Sequence, residues 1–359
     1  MNLLAHLKEL CAAPGPSGYE APVRAVIRAA WKPLAAEVHV DPLGSLWATR
    51  PAAPPGKRGK AAARPRVMLA AHMDTIGLMV SRVEGEFLRA ACLGTPDLRV
   101  LPGQPVTVHG VKPLPGIIAR PAPFLLPKNQ RAVAAEVGEL VIDLGLPADQ
   151  VRPLVKVGDP VTFAQPPLEL PNGLLAAPGL DNRASVAALT VCLELLKKKS
   201  LLWDVTAVAT VQEEELGFPG AAASAHALQP DLALVVDVSF GADANTRAFG
   251  DQTFALHSGP ALGLGPNTHT GLFHAMQAAA QKAQIPHSIE AYAGHSGTDA
   301  YAVQVARAGI PTLSIGIPLR NMHTPVEIVA LRDIQRTGEL LAEFIAGLSL
   351  KFLTALTVD

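Results

Sequence analysis

The hydrophobic pattern along this chain switches between two periods. Val205 to Val211 (VTAVATV) is a run of small and β-branched residues that reads as a strand buried on both faces, and it leads through Gln212 into Glu213, Glu214 and Glu215. Gly217 and Gly220 permit a tight turn, Pro219 suits a first helical position, and Ala221 to Leu228 is good helix material. Similar apolar strands are predicted at Val67 to Ala71, Leu232 to Val238 and Thr312 to Ile317, and a strand pair at Val38 to Trp47. Helical spacing is predicted over Leu3 to Ala12, Ala21 to Ala30, Arg183 to Lys199, Leu272 to Ala283 and Leu331 to Leu348. Strands alternating with helices predict an α/β fold, a mainly parallel sheet sandwiched by helices. From about Leu78 to Pro171 the rhythm changes to short β-like runs with turns at Pro102-Gly103, Pro115-Gly116 and Val157-Gly158-Asp159, which predicts a small β-rich insert. Arg50 to Pro65 reads as a basic, Pro- and Ala-rich solvated loop.

The chain's 359 residues exceed one ordinary domain, in keeping with an insertion or a second domain. A composition 49% hydrophobic and only 17% charged suits a packed core and leaves apolar surface for an oligomer to cover. Thirty basic against 31 acidic residues create no field that would draw the chain to nucleic acid or to a membrane surface, so neither is expected as a partner. Cys11, Cys92 and Cys192 are odd in number and widely spaced, which argues against a disulfide framework. With no signal-peptide pattern at the start and no membrane-length apolar run, a cytoplasmic location is expected.

Three carboxylates at the end of a buried strand cost free energy unless a cation compensates them. Other polar residues fall just after predicted strands or in adjoining loops: His72 and Asp74, Asp237, and His323, with Asp181 at a helix start. Each has an ordinary structural explanation by itself. A lone histidine is usually a hydrogen-bonded residue, Asp181 is a fitting helix cap, Asp237 is a fitting turn residue, and a glutamate run is usually solvated. Together they occupy the positions that converge on one crevice in an open α/β sheet. Two imidazoles with several carboxylates form a nitrogen and oxygen donor set suited to Zn²⁺, Co²⁺ or Mn²⁺, and a water-bridged pair of divalent metal ions fits better than one.

The segments AHMDTIG (71 to 77), GLDNRASVAAL (179 to 189), TVQEEELGFPGA (210 to 221), VVDVS (235 to 239), GTDA (297 to 300) and IPLRNMHTPVE (317 to 327) resemble the signature blocks of the TET-type aminopeptidases. These are the glutamyl and leucyl aminopeptidase-like enzymes of metallopeptidase family forty-two, and APGPSGYE (13 to 20) resembles their N-terminal block. The resemblance runs in order along nearly the whole chain and is weakest in the β-rich insert. It implies a zinc-exopeptidase-like catalytic domain over residues 1–74 and 172–359, interrupted by a PDZ-like dimerisation or lid domain over 75–171. It also implies a homo-oligomer, a hollow tetrahedral dodecamer built from dimers, and peptide substrates with a free N-terminus.

Carried over by motif, His72 and Asp237 would hold one metal, Glu215 and His323 the other, and Asp181 would bridge them. Asp74 would fix the tautomer of His72 from its far nitrogen. The remaining glutamate would be the general base. Here the chain departs from the family, whose blocks have two glutamates, one residue and then glycine. Counting back from Gly217 makes Glu214 the base and Glu215 the ligand; counting forward from Thr210-Val211-Gln212 selects Glu213 and Glu214. The first register is adopted, on the ground that the Gly217 and Gly220 turn fixes the geometry while an upstream residue is absorbed as a bulge. Asn321 stands where the family often has tyrosine, and His295 is either a polar contact of the site or a loop-stabilising residue. The competing readings are a metal-dependent deacylase or carboxypeptidase-like enzyme, a glucanase using paired carboxylates, and a non-catalytic assembly with a degraded metal site.

Overall fold

The computed structural model describes residues 1–53, 64–130, 133–215, 217–244 and 252–356, so most of the Arg50 to Pro65 loop lies outside the described residues. One eleven-stranded sheet forms the larger part of the protein. Its centre is Asp204–Thr210, Arg66–His72, Leu232–Phe240 and Thr312–Arg320, side by side and parallel. Burial explains why these segments are strands: apart from their terminal residues, nearly every side chain is enclosed, and β-branched and small apolar residues fill the space on both faces.

The flanking strands alternate in direction. On one side Leu46–Arg50 pairs antiparallel with Asp204–Thr210 and forms a hairpin with Glu37–Val40, and Asp41 closes its turn by accepting from the amides of Leu43, Gly44 and Ser45. On the other side Glu327–Ala330, Leu174–Ala177 and Leu168–Leu170 are successively antiparallel. Asn172 and Gly173, both at positive φ, make the tight turn between the last two. The sheet is therefore mixed, with its four central strands parallel. Ala261–Leu264 adds to Thr312–Arg320 and carries Ser288–Ala291 beyond it.

Helices cover both faces. Leu180–Leu196 is buried almost all round and packs against the terminal helix Leu331–Gly347, which turns Ile334, Gly338, Leu341 and Ile345 inward at helical spacing. Gly179, Asp181 and Asn182 depart from helical backbone, so the helix proper starts after them and Asp181 is free to face the sheet's edge. Arg183 ties this helix to the first one: it is buried and donates to the carbonyls of Leu10 and Ala13 at 2.5 and 2.6 Å. No helix among the described residues is long and apolar enough to cross a membrane.

The second body is a closed six-stranded barrel, all antiparallel, in the order Gly77–Glu84, Phe87–Leu93, Val141–Asp143, Pro113–Ala119, Pro105–His109, Pro160–Phe163. It has its own apolar core, including Leu78, Val80, Leu88, Val108, Ile118 and Val161, separate from the core of the large sheet. The segment after Phe87–Leu93 returns to the large sheet, where the amide of Asp97 donates to the carbonyl of His323 at 2.9 Å.

Candidate metal centre

Parallel pairing puts the carboxyl ends of the central strands at one edge. His72 closes its strand opposite Thr210, and Glu213 and Glu214 follow just beyond Thr210. Asp237 comes from the neighbouring strand Leu232–Phe240, Asp181 from the start of the buried helix, and His323 from the turn after Thr312–Arg320. Asn321 and His323 both adopt positive φ in that turn, a conformation asparagine and histidine tolerate better than most residues, and a tyrosine at 321 would be strained there.

Two triads result, His72 with Glu213 and Asp237, and Asp181 with Glu214 and His323, each with one ligand atom per residue within 4.8 Å of the others. Asp181 stands between them. Its Oδ1 lies 3.2 Å from Nε2 of His72 and its Oδ2 lies 3.5 Å from Nε2 of His323. Nε2 of His72 is also 3.6 Å from Asp237 and 3.8 Å from Glu213, and Nε2 of His323 is 3.5 Å from Glu214. Both imidazoles are aimed from behind. Nδ1 of His72 meets the carbonyl of Asp74 at 3.1 Å, with that residue's carboxylate at 3.5 Å. Nδ1 of His323 meets the carbonyl and hydroxyl of Thr95 at 3.0 and 2.9 Å.

The order of the glutamates is set by Asp74. Its fully buried carboxylate accepts from the Ser17 hydroxyl at 2.6 Å and from the amides of Glu213 and Glu214 at 3.1 and 3.2 Å. The backbone is thus clamped directly behind the strand, with Gln212 at positive φ making the bend. The extra residue is absorbed on the far side: Glu215 is exposed and accepts from the amide of Gly94 at 2.8 Å, outside both triads. Counting back from Gly217 selects Glu214 and Glu215. The structure instead brings Glu213 and Glu214 to the other four residues. Gly217, at φ +111°, supplies a permissive turn that accommodates the longer loop rather than measuring it. Gly220 is needed for close approach, since a Cβ there would meet the carbonyl of Val211 at 2.5 Å.

Four carboxylates and two imidazoles in so small a space cannot all be charged comfortably. Burial first, then the charges of Asp237, Asp299 and Asp181, push Glu213 up to about 10 against the pull of His72. Burial and neighbouring carboxylates likewise raise Glu214 and Asp237. Burial alone would lower His72, yet the carboxylates of Glu213, Asp237 and Asp181 outweigh it and raise that imidazole well above its ordinary value. Burial pushes Asp74 upward, but His72, Ser17 and the Glu213 amide hold it below the usual range. Oε1 of Glu214 is buried without a hydrogen-bond partner. An excess of buried negative charge, a mixed nitrogen and oxygen donor set and an unsatisfied carboxylate oxygen fit divalent cations.

Three further residues support the site. Glu327, fully buried, accepts from the amides of Asp181 and His323 at 3.1 and 3.0 Å and so fixes two members of one triad at once. Asp299 accepts from the Thr210 hydroxyl at 2.5 Å, and burial first among its causes pushes it up to about 7. Thr95 arrives from the barrel side. Glu327 and Asp299 lie inside segments whose resemblance was visible in sequence, but nothing in their spacing told a positioning role from an ordinary strand or cap carboxylate. The triads open into a crevice of about 710 Å³, also lined by Phe240, Glu290, Tyr292, His295 and Tyr301. His295 accepts from the amide of Gly297 at 3.2 Å and stacks obliquely on Tyr301, so it shapes the loop and faces the crevice together.

A mixed α/β sheet interrupted by a six-stranded barrel, with a carboxylate held between two histidine-containing triads at the sheet's carboxyl edge, defines a candidate two-metal hydrolase. Residues 56–340 match the M42 glutamyl aminopeptidase family, and the chain belongs to it. A lysyl aminopeptidase of Pyrococcus furiosus is 30% identical over 93% of this chain and 94% of its own length. The TET aminopeptidase from the marine sediment archaeon Thaumarchaeota archaeon SCGC AB-539-E09 superposes with a TM-score of 0.89 at 31% identity, covering 99% of this chain and 100% of that one. The TET1 peptidase of Pyrococcus horikoshii, described as assembling into a tetrahedron or a large octahedral shell, gives 0.82 at 28% identity over 97% and 100%.

Proposed function

We propose that this chain removes N-terminal residues from short peptides as a two-metal aminopeptidase, with His72 and Asp237 holding one ion, Glu214 and His323 the other, and Asp181 both. The observation that carries the reading is Asp181 itself, whose two oxygens face the two histidines at 3.2 and 3.5 Å. Divalent ions held there, Zn²⁺, Co²⁺ or Mn²⁺, supply Lewis acidity and acidify a water toward neutral pH. Glu213 is the carboxylate left over. It accepts the proton of the attacking water and returns it to the departing amine, so the roles of base and ligand fall one residue earlier than the Gly217 register assigned. Asp74 positions both glutamates through their amides and backs His72.

The substrate's free α-amino group distinguishes this reading from a deacylase. Like its TET relatives, the chain forms a closed homo-oligomer, and a tetrahedral dodecamer of dimers is the assembly we infer. Three free cysteines suit a reducing cytoplasm. The test is hydrolysis of free and N-blocked aminoacyl p-nitroanilides and peptides by protein stripped with chelator and reloaded with each metal. Cleavage of free N-termini alone, restored by metal with two ions per chain, is expected. Cleavage of blocked substrates would turn the assignment to a deacylase or carboxypeptidase-like enzyme, and none at all would indicate a degraded site.

A further inference from the structure

The crevice beyond the triads carries one carboxylate that neither metal needs. Glu290 stands on Ser288–Ala291, the strand farthest out on the Ala261–Leu264 side, opposite Gly263. Its side chain reaches inward past Gly316, a position that has none. A Cβ on Gly316 would lie 3.0 Å from Oε2 of Glu290 and 2.6 Å from Ser239, whereas one on Gly263 would meet the Tyr292 hydroxyl at 2.6 Å. The missing side chain at Gly316 thus makes room for the carboxylate, which ends at Ser239, whose hydroxyl donates to Oε1 at 2.7 Å. Ser239 is two residues after Asp237 on the same strand and so on the same face, about 6.5 Å further along.

That placement has a chemical meaning. A substrate whose α-amino end lies at the triads sends its first side chain along the crevice, and a lysine's four-carbon stem spans about this distance. The walls suit such a stem, with Phe240, Tyr292 and Tyr301 among the residues lining the crevice. Among the described residues, no lysine or arginine lines the crevice, while Glu290 offers a counter-charge to a cation. Glu290 is half-buried and its charge has a hydroxyl as partner, leaving an ammonium or guanidinium as the group that completes it.

We propose that Glu290 is the specificity-determining residue of the crevice and selects peptides whose N-terminal residue has a cationic side chain, lysine or arginine. This rests on the aminopeptidase reading above. The experiment compares kcat/KM for lysyl, arginyl, leucyl and glutamyl p-nitroanilides on the metal-loaded wild type and on Glu290→Gln. Thermal shifts produced by L-lysinamide and L-leucinamide on both proteins give a readout independent of turnover. The wild type is expected to prefer the lysyl and arginyl substrates, and Glu290→Gln to lower the lysyl-to-leucyl ratio by roughly ten- to a hundredfold, the worth of one charge-assisted contact. L-lysinamide should stabilise the wild type more than the variant. A wild type preferring leucyl or glutamyl substrates, or a variant that slows all four equally, would overturn the proposal while leaving the aminopeptidase standing. Hydrolysis of none of the four by wild type would overturn both. Where the variant does not fold, the order of the four substrates on the wild type decides.

Discussion

Asp181 faces both histidines, but the two triads are built by different means. His72 is 1% exposed, ends a central strand and is backed by Asp74 two residues away, so its half of the site is supplied from within the large sheet and its helices. His323 is 31% exposed, sits in a turn and is backed by Thr95, a residue 228 positions away that follows a barrel strand. One half of the site comes with the fold of the sheet; the other exists only while the barrel is correctly seated. Local support tolerates disturbance of distant parts, and support across two bodies couples the site to their relative position.

The largest effect is expected from removing Asp181, which faces both histidines. Asp181→Ala should lower kcat/KM by about three orders of magnitude or more and reduce bound metal at both positions, measured by turnover together with metal analysis per chain. Loss of only one ion would show that Asp181 serves one half alone. Next come the glutamates. Glu213→Gln should keep both ions and lose about 10²- to 10⁴-fold in kcat, Glu214→Gln should lose the ion of the His323 half, and Glu215→Gln should change stability and activity little, within about 0.5 kcal/mol. A Glu215→Gln chain that lost a metal would restore the register counted from Gly217.

A smaller effect separates the halves directly. Thr95→Val removes the hydroxyl behind His323 but leaves the carbonyl, so affinity at that ion should fall by about tenfold while the His72 half keeps its own; competitive metal titration measures both. The smallest effect concerns the metal-free chain. Burial first, with neighbouring carboxylates, raises the carboxyls of Glu213, Glu214 and Asp237, and the same carboxylates raise His72 against its own burial. The folded state therefore keeps protons that the unfolded state releases, for Glu213 between 4.5 and about 10. Stability must fall as pH rises through that window. Melting temperature of chelated protein should decline from pH 5 to pH 9 more steeply than that of metal-loaded protein.

Much of this was legible beforehand. His72, Asp181, Asp237 and His323 stood out because buried strands and a helix start announce themselves by composition, and ends of such elements are where charge is tolerated. The mixed character of the sheet was less visible. Alternating helices and strands signal a parallel centre, but Leu46–Arg50 and Glu327–Ala330 take their direction from what they pair with. Thr95 gave no signal, since a threonine in a loop of the insert has no pattern linking it to a histidine far along the chain.

By itself, then, the sequence determined the donor set: the residue types, their attachment to strand ends, and the excess of carboxylate that calls for cations. Only tertiary structure decided which of three adjacent glutamates faces inward. The physical reason is that a loop is placed by what holds its backbone. Asp74, brought in just past the end of a neighbouring strand, accepts from the amides of Glu213 and Glu214 next to the strand end, and the spare residue leaves toward solvent at Glu215. Counting along a chain measures spacing, whereas hydrogen bonds between distant segments determine where that spacing begins.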